Sequence, residues 1–252
     1  MFATLFLLAI LPATQYHSSI ITLNQLAPII IYSVINLVIG DTFYLMALKK
    51  IGVSRAQPIS SSYPLYSMFL AAAILNEELT FAVAIGTPLI VVGIAIVSLA
   101  RNNTAPNGTV TRFGVILSIV AAVFLSIGFI ILKMTLNNVN IDPIFATFIS
   151  RLAALPFLLL AVAAAGETDQ ITKLSMIDVS VLALAGMLAL GLGGIFLFSS
   201  LALIDASKAV PLSSTSPFFS LILASIYAGE KVGAKIVVGT TLIVTGIILV
   251  TI

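Results

Sequence analysis

Two serine clusters, each bracketed by prolines, carry the chemistry most readable in this chain. They are Pro58, Ser60, Ser61, Ser62 and Pro64, and Pro211, Ser213, Ser214, Thr215, Ser216 and Pro217. A proline within a helix supplies no N–H and leaves a carbonyl upstream without its donor. In hydrocarbon that carbonyl has to meet protein, a hydroxyl or trapped water. The spacing therefore predicts a broken or kinked helix at each cluster, with Pro58, Pro64, Pro211 and Pro217 as the breaking residues. Ser61, Tyr63, Ser213 and Ser214 then offer hydroxyls where the backbone opens, which suits solute binding. Close helix packing through small residues is the competing account of the same serines.

A second polar group lies upstream. Tyr32, Asn36, Gly40 and Tyr44 recur every four residues, with Ser33 and Asp41 beside them, so one helix face is polar and aromatic. Asn36, Asp41 and Tyr44 join the candidate substrate-binding set, and a polar helix–helix seam is the alternative. Ionisable residues cost about 3 kcal/mol each at the bilayer centre, so each needs a partner or a role. Asp41 is expected either to load and release a proton in a proton-coupled cycle or to anchor at the interface. Lys133 closes its helix and is expected to snorkel toward the headgroups. Arg151 is eight residues into its segment and is expected to hold carbonyls freed by a neighbouring break.

Bond-making chemistry has no matching residues. The sequence has one histidine, His17, no cysteine, no His/Glu metal spacing, and no second aspartate placed to pair with Asp41 as an intramembrane aspartyl dyad. No cofactor or metal is implied. The glycines of Gly191 to Gly194 fall inside an apolar run and read as packing residues. Asn102 and Asn107 form sequons only formally, in a short connector. No basic cluster with interleaved aromatics supports nucleic-acid binding.

The elements that must hold these residues follow from composition. Hydrophobic residues make up 60% and charged residues 8% of the 252, and mean hydropathy is +1.23, far from the quarter of charged residues in a soluble domain. Apolar runs of about twenty residues match the hydrocarbon thickness at helical rise, and a barrel would alternate in segments of about ten. Eight membrane helices are predicted, at 26–48, 53–75, 80–100, 112–134, 143–165, 179–202, 207–228 and 233–252. A ninth run, Phe2 to Pro12, is too short to span, and the first lysine is Lys49, so it lacks the basic start of a secretory signal.

Setting residue n against n + 153 aligns two halves without a gap. Gly40, Phe43, Leu48, Ser54, Ala56, Pro58, Ser60, Ser61, Pro64, Ser67 and Glu77 meet Gly193, Phe196, Leu201, Ser207, Ala209, Pro211, Ser213, Ser214, Pro217, Ser220 and Glu230. Gly86, Thr87, Gly93, Ile94 and Val97 meet Gly239, Thr240, Gly246, Ile247 and Val250, giving about 22 identities in about 60 positions. Duplication explains this. The polar stripe is not duplicated, since Ala185, Ala189, Gly193 and Leu197 stand opposite Tyr32, Asn36, Gly40 and Tyr44. The second half holds five helices, and an odd number inverts the second copy. Met1 to Thr14 falls opposite Ala154 to Glu167, so the first half lacks a helix and a half. A complete version starting earlier would have ten helices, and a nine-segment chain with a re-entrant stub is the alternative. The organisation expected is an all-α integral membrane protein of two inverted five-helix repeats, the first incomplete at its N-terminus, over 1–100 and 112–252 with a connector at 101–111.

Ala47 to Leu79 (ALKKIGVSRAQPISSSYPLYSMFLAAAILNEEL) and Ser200 to Val232 (SLALIDASKAVPLSSTSPFFSLILASIYAGEKV) resemble the EamA-like branch of the drug/metabolite transporter superfamily, as does Phe148 to Ala164 with its Arg151. The resemblance implies ten helices in two inverted repeats, a central cavity lined chiefly by the first, third and fourth helices of each repeat, and transport of amino acids, sugars, nucleotide-linked solutes or drugs. A transporter-derived structural or accessory protein is the second expectation. Glu77 and Glu230, just before the next helix, read as caps at its positive dipole end. For orientation the two lines of reading oppose each other. Eight cationic residues (Lys49, Lys50, Arg55, Arg101, Arg112, Lys173, Lys231, Lys235) fall on one side and two (Lys133, Lys208) on the other, which puts the 101–112 loop in the cytoplasm. The resemblance implies the reverse, with both termini cytoplasmic. Membrane lipid and a small-molecule substrate are the expected partners.

Overall fold

The computed structural model describes residues 1–13, 23–101, 111–139, 141–164, 174–216, 218–219 and 233–252. Pro217, Ser220, Glu230 and nearly all of the 101–111 connector lie outside the described residues, as do His17, Asn102, Asn107, Lys173 and Lys231. Among the described residues the regular structure is helical throughout. In chain order it runs α1 (Phe2–Ile10), α2 (Leu23–Tyr32), a π-helical segment Ser33–Gly40, α3 (Asp41–Ile51), α4 (Val53–Ser60), α5 (Tyr63–Leu75), α6 (Phe81–Arg101), α7 (Arg112–Asn138), α8 (Pro143–Ala164), α9 (Met176–Ala185), a second π-helical segment Gly186–Leu192, α10 (Gly193–Leu203), α11 (Ala206–Ser213) and α12 (Ala234–Thr251).

Six of these stretches are long and apolar enough to cross a membrane: Gln25–Ile51, Phe81–Leu99, Arg112–Asn138, Pro143–Ala163, Met176–Leu203 and Ala234–Thr251. The other two expected spans, 53–75 and 207–228, differ in the same way. The first is divided into α4 and α5, and α11 stops after Ser213, so neither contains one uninterrupted helix of full length. The π-helical segments fall at matching places, Ser33–Gly40 against Gly186–Leu192, under the 153-residue offset.

Local chemistry sets the helix ends. Asp142 accepts hydrogen bonds from the Ile144 and Phe145 N–H groups at 2.9 and 3.0 Å, and Pro143 fills the first helical position, where no N–H is needed. Ser175 and Asp178 form a reciprocal capping box at α9. Asn76 ends α5 in the left-handed conformation, φ 55°.

The chain forms two compact units, Met1–Val38 with Ile131–Leu203, and Ile39–Ile130 with Ile204–Ile252. Each draws on both sequence halves. In the first unit α1 packs on the second π-helical segment and on α8, while α2 and α10 also lie against α8. Tyr32 and Phe198, both fully buried, meet edge to face at 5.4 Å between centroids. Gly191 admits the Phe6 ring, since a Cβ there would sit 2.7 Å from its Cδ1.

The second unit is organised on the antiparallel pair α6 and α12. Gly86 faces Gly246 and Gly93 faces Gly239, with an added Cβ at Gly86 or Gly93 falling 2.8 or 2.7 Å from the opposite carbonyl oxygen. The 153-residue offset exchanges these two contacts, so the crossing has an internal two-fold relation. Ile90, Ile94, Val97, Ile236, Ile243 and Val250 are buried around it. Helix association in lipid depends on such close packing, because lipid tails are as apolar as leucine.

Candidate functional site

The second unit contains both helix breaks. α4 ends at Ser60, Ser61 and Ser62 form a turn, and α5 starts at Tyr63 with Pro64 in its first turn. At the matching residues α11 ends at Ser213, followed by a turn at Ser214 and Thr215. The Ser61 N–H still donates to Gln57 O at 2.8 Å, but the Ser62 N–H turns to Ile59 O at 3.1 Å and the Leu65 N–H to Ser62 O at 3.0 Å. The second copy repeats the pattern: Ser214 N–H to Val210 O, Thr215 N–H to Leu212 O and Phe218 N–H to Thr215 O. Pro64 and Pro217 lack the next N–H by their covalent structure. The Ser61 and Ser214 carbonyls therefore lose both of their local donors.

The two breaks meet. The Tyr63 hydroxyl is hydrogen-bonded with Ser213, and α11 packs along α5. Ser213 Oγ itself donates to Val210 O at 2.8 Å. Tyr63 also lies against Phe129, with centroids 5.6 Å apart. From α7, Ser126 Oγ shares its hydrogen between Tyr63 O and Ala122 O, each at 2.7 Å, and Ser60 Oγ reaches Ser118 O at 3.4 Å. These two hydroxyl bonds, one from Ser126 of α7 and one from Ser60 of α4, hold the broken backbone against a continuous helix.

A polar chain runs into the first break from α3. The Tyr44 hydroxyl donates to Gln57 Oε1, and Gln57 Nε2 donates to Ser61 Oγ at 3.2 Å. Asp41, one turn before Tyr44, is close enough to act on that phenol electrostatically. Tyr44 and Ser61 are thereby linked through Gln57, Tyr63 and Ser213 lie in the same unit, and Ser214 is buried in the turn that follows Ser213. Asn36, also buried, belongs to the other unit. Gln57 was not singled out from sequence, although its counterpart Val210 marks it as a polar residue peculiar to the first half, like Asn36 and Tyr44.

The ionisable residues have specific partners. Arg151 Nε donates to Leu190 O at 3.2 Å, inside the second π-helical segment. Gly194 lets it lie close, since a Cβ there would sit 3.0 Å from a guanidinium nitrogen. Lys133 differs from expectation. It is 6% exposed and its Nζ donates to Leu201 O at 2.8 Å. The last carbonyls of α10 need donors, and a cation suits the negative end of a helix, so this lysine turns inward instead of snorkelling. Glu77 differs too. Its carboxylate accepts from the Ala206 and Ser207 N–H groups, both at 2.8 Å, capping α11 and not the helix that follows it in sequence. The chain turn at left-handed Asn76 carries Glu77 off the α5 axis.

Comparison with known proteins agrees with this architecture. The EamA-like transporter family matches residues 1–99 and 112–252. A protein of Archaeoglobus fulgidus described as an uncharacterized transporter is 26% identical over 252 residues, covering 99% of this chain and 84% of its own. A solved crystal structure superposes with a TM-score of 0.78 at 16% identity, over 99% of this chain and 83% of that one, which establishes likeness of fold. Transport and not catalysis is what this family does. With its apolar helices of membrane-crossing length and a family match over nearly all its residues, this multi-pass integral membrane chain belongs to the EamA-like transporter family.

Proposed function

We propose that the chain is a secondary carrier or exporter that moves a small organic metabolite across the membrane by alternating access. The observation that carries this reading is the meeting of two matched helix breaks through Tyr63 and Ser213. Broken helices at corresponding positions of two repeats are where secondary transporters bind solute, because unwound backbone offers polar groups at a depth where lipid offers none. Asp41, Tyr44, Ser61, Tyr63, Ser213 and Ser214 are the proposed solute-facing residues in that unit, and Asn36 is proposed from its place in the polar stripe. The repeats over 1–100 and 112–252 are proposed to be inverted and to rock about the proline breaks. The antiparallel, two-fold-related crossing of α6 and α12 supports inversion, since equivalent helices of inverted repeats run in opposite directions. Asp41 is proposed as the proton-sensitive element of the cycle.

Flux into reconstituted vesicles tests the reading. A panel of amino acids, sugars, nucleotide-linked solutes and amphiphilic drugs should include at least one that accumulates or exchanges, and Ser61→Leu or Ser214→Leu should remove that flux at normal abundance. Absence of flux for the whole panel with folded protein would support an accessory role instead.

A further inference from the structure

Hydrogen-bond donors and acceptors are unequal at the two breaks. The Ser62, Ser213, Ser214 and Thr215 hydroxyls each donate to a carbonyl three residues back, at 2.7 to 2.8 Å. The Tyr63 hydroxyl is engaged with Ser213, the Tyr44 hydroxyl with Gln57, and the Gln57 amide N–H with Ser61. The serine, threonine and Tyr44 hydrogens among these, and one Gln57 amide hydrogen, are directed to partners inside the unit, which leaves those oxygens their lone pairs. The Ser61 and Ser214 carbonyls add to the excess, having lost their local donors to Pro64, Leu65, Pro217 and Phe218. At the start of α5, Pro64 has no N–H and the Leu65 N–H is used by Ser62 O. α4 and α11 both end here, bringing the negative ends of two helix dipoles to one place.

An independent observation comes from Ser67, one turn beyond Tyr63 on the same face of α5. It is fully buried, yet its Oγ has no hydrogen-bond partner. A buried hydroxyl left unsatisfied costs about 1–3 kcal/mol, and its oxygen has lone pairs to offer a donor. The charged side chain coupled to this network through Tyr44 is a carboxylate, Asp41, whereas Arg55 and Lys208 lie in the first turns of α4 and α11, at the ends away from the breaks.

We propose that the paired breaks form an acceptor-rich site for the ammonium head group of an organic amine, so that the solute carried is a cation whose N–H groups donate to Ser61 O, Ser214 O and the surrounding hydroxyl oxygens. This rests on the carrier reading above and narrows it: anionic and nucleotide-linked solutes would meet lone pairs with lone pairs and be rejected.

The test uses three probes of one skeleton on the full-length protein in nanodiscs: phenethylammonium, phenylpropionate and phenethyl alcohol, followed by thermal shift and equilibrium dialysis. The ammonium should bind saturably, at least about tenfold tighter than either of the others, the change expected from one hydrogen bond involving a charged group. Pro64→Ala returns an N–H to the break and should weaken ammonium binding about tenfold. Ser67→Ala should leave the ligand-free protein as stable as before, or more so, while weakening the ammonium by a similar factor; it decides the matter if Pro64→Ala does not fold. Equal or tighter binding of the carboxylate or the alcohol overturns the proposal, as does no binding of any probe or unchanged ammonium affinity in folded Ser67→Ala. Vesicle flux of some other solute in those cases would keep the carrier reading while removing the amine.

Discussion

Gly93→Ala is the sharpest perturbation of the scaffold. The added Cβ would sit 2.7 Å from Gly239 O, 2.7 Å from Ile243 Cγ1 and 3.0 Å from Ile243 N. An unstrained carbon-to-oxygen approach is about 3.3–3.6 Å, so α6 and α12 have to separate by roughly 0.6–0.9 Å. Neither the carbonyl nor the amide can swing aside, because both belong to the α12 backbone. A gap of that size forfeits about a quarter to a half of each affected contact, and the contacts at risk are those of Ile90, Ile94, Val97, Ile236, Ile243 and Val250. Overpacking of this kind costs about 1–3 kcal/mol, and Gly93→Leu should exceed that and impair assembly. Once the helices have parted, a second methyl at Gly239, facing the same gap, adds little. The double variant Gly93→Ala with Gly239→Ala should therefore fall short of additivity by about 1 kcal/mol. Equilibrium unfolding in bicelles measures each term, with Gly233→Ala as control because a Cβ there meets nothing within 4 Å. Stability of Gly93→Ala within about 0.5 kcal/mol of the parent would refute the close-approach argument, and so would a changed substrate profile at normal abundance.

Ser61→Leu and Ser214→Leu should each abolish flux while leaving membrane insertion and abundance within about twofold of the parent, since insertion is set by whole-helix hydropathy and not by one hydroxyl; equal flux at equal expression would count against a site at the breaks. Glu77→Ala strands the buried N–H groups of Ala206 and Ser207 and should cost about 2–4 kcal/mol in thermal or denaturant unfolding, with partial recovery in Glu77→Gln, which retains one acceptor oxygen. Asp41→Asn should abolish accumulation driven by a pH gradient and spare solute exchange, and unchanged accumulation would reduce Asp41 to an interfacial anchor.

Hydropathy made the helices legible, because an apolar run of about twenty residues bounded by charge has one stable state in a bilayer. The proline-bracketed serines were legible for a related reason, since a missing N–H is a covalent fact that no packing reverses. Hydrogen-bond register was not legible. Ser33–Gly40 and Gly186–Leu192 are as apolar as their helical neighbours, and their π-helical turns depend on the tertiary surroundings, as with the Arg151 bond to Leu190 O in the second. The partners of Lys133 and Glu77 were missed because the groups they satisfy, at Leu201 and at Ala206 and Ser207, are 68, 129 and 130 residues away. Sequence reading assigned each charge to the nearest interface or helix end, whereas a buried backbone terminus elsewhere in the fold had the stronger claim.

Symmetry and its departures divide the labour in the second unit. The features that the two halves share are those of backbone and packing: Gly86, Gly93, Gly239 and Gly246 at the crossing, and matched turns after Ser60 and Ser213. The features they do not share are side chains directed at the breaks. Asp41, Tyr44, Gln57 and Tyr63 stand opposite Gly194, Leu197, Val210 and Ser216. On the proposed alternating-access reading, two equivalent scaffolds are what exchange of inward and outward states requires, each repeat taking the conformation of the other at little cost in free energy. One-sided polar side chains are what discrimination requires, because a solute bound between identical surfaces would be read twice by the same groups. On the proposed reading, loss of Gln57 should therefore change which solute is carried more than whether the protein cycles. Gln57→Val, which makes the first break resemble the second, would then shift the ratio of affinities across a solute panel while leaving exchange of the best remaining substrate intact, and a uniform loss of flux for every solute would contradict this division.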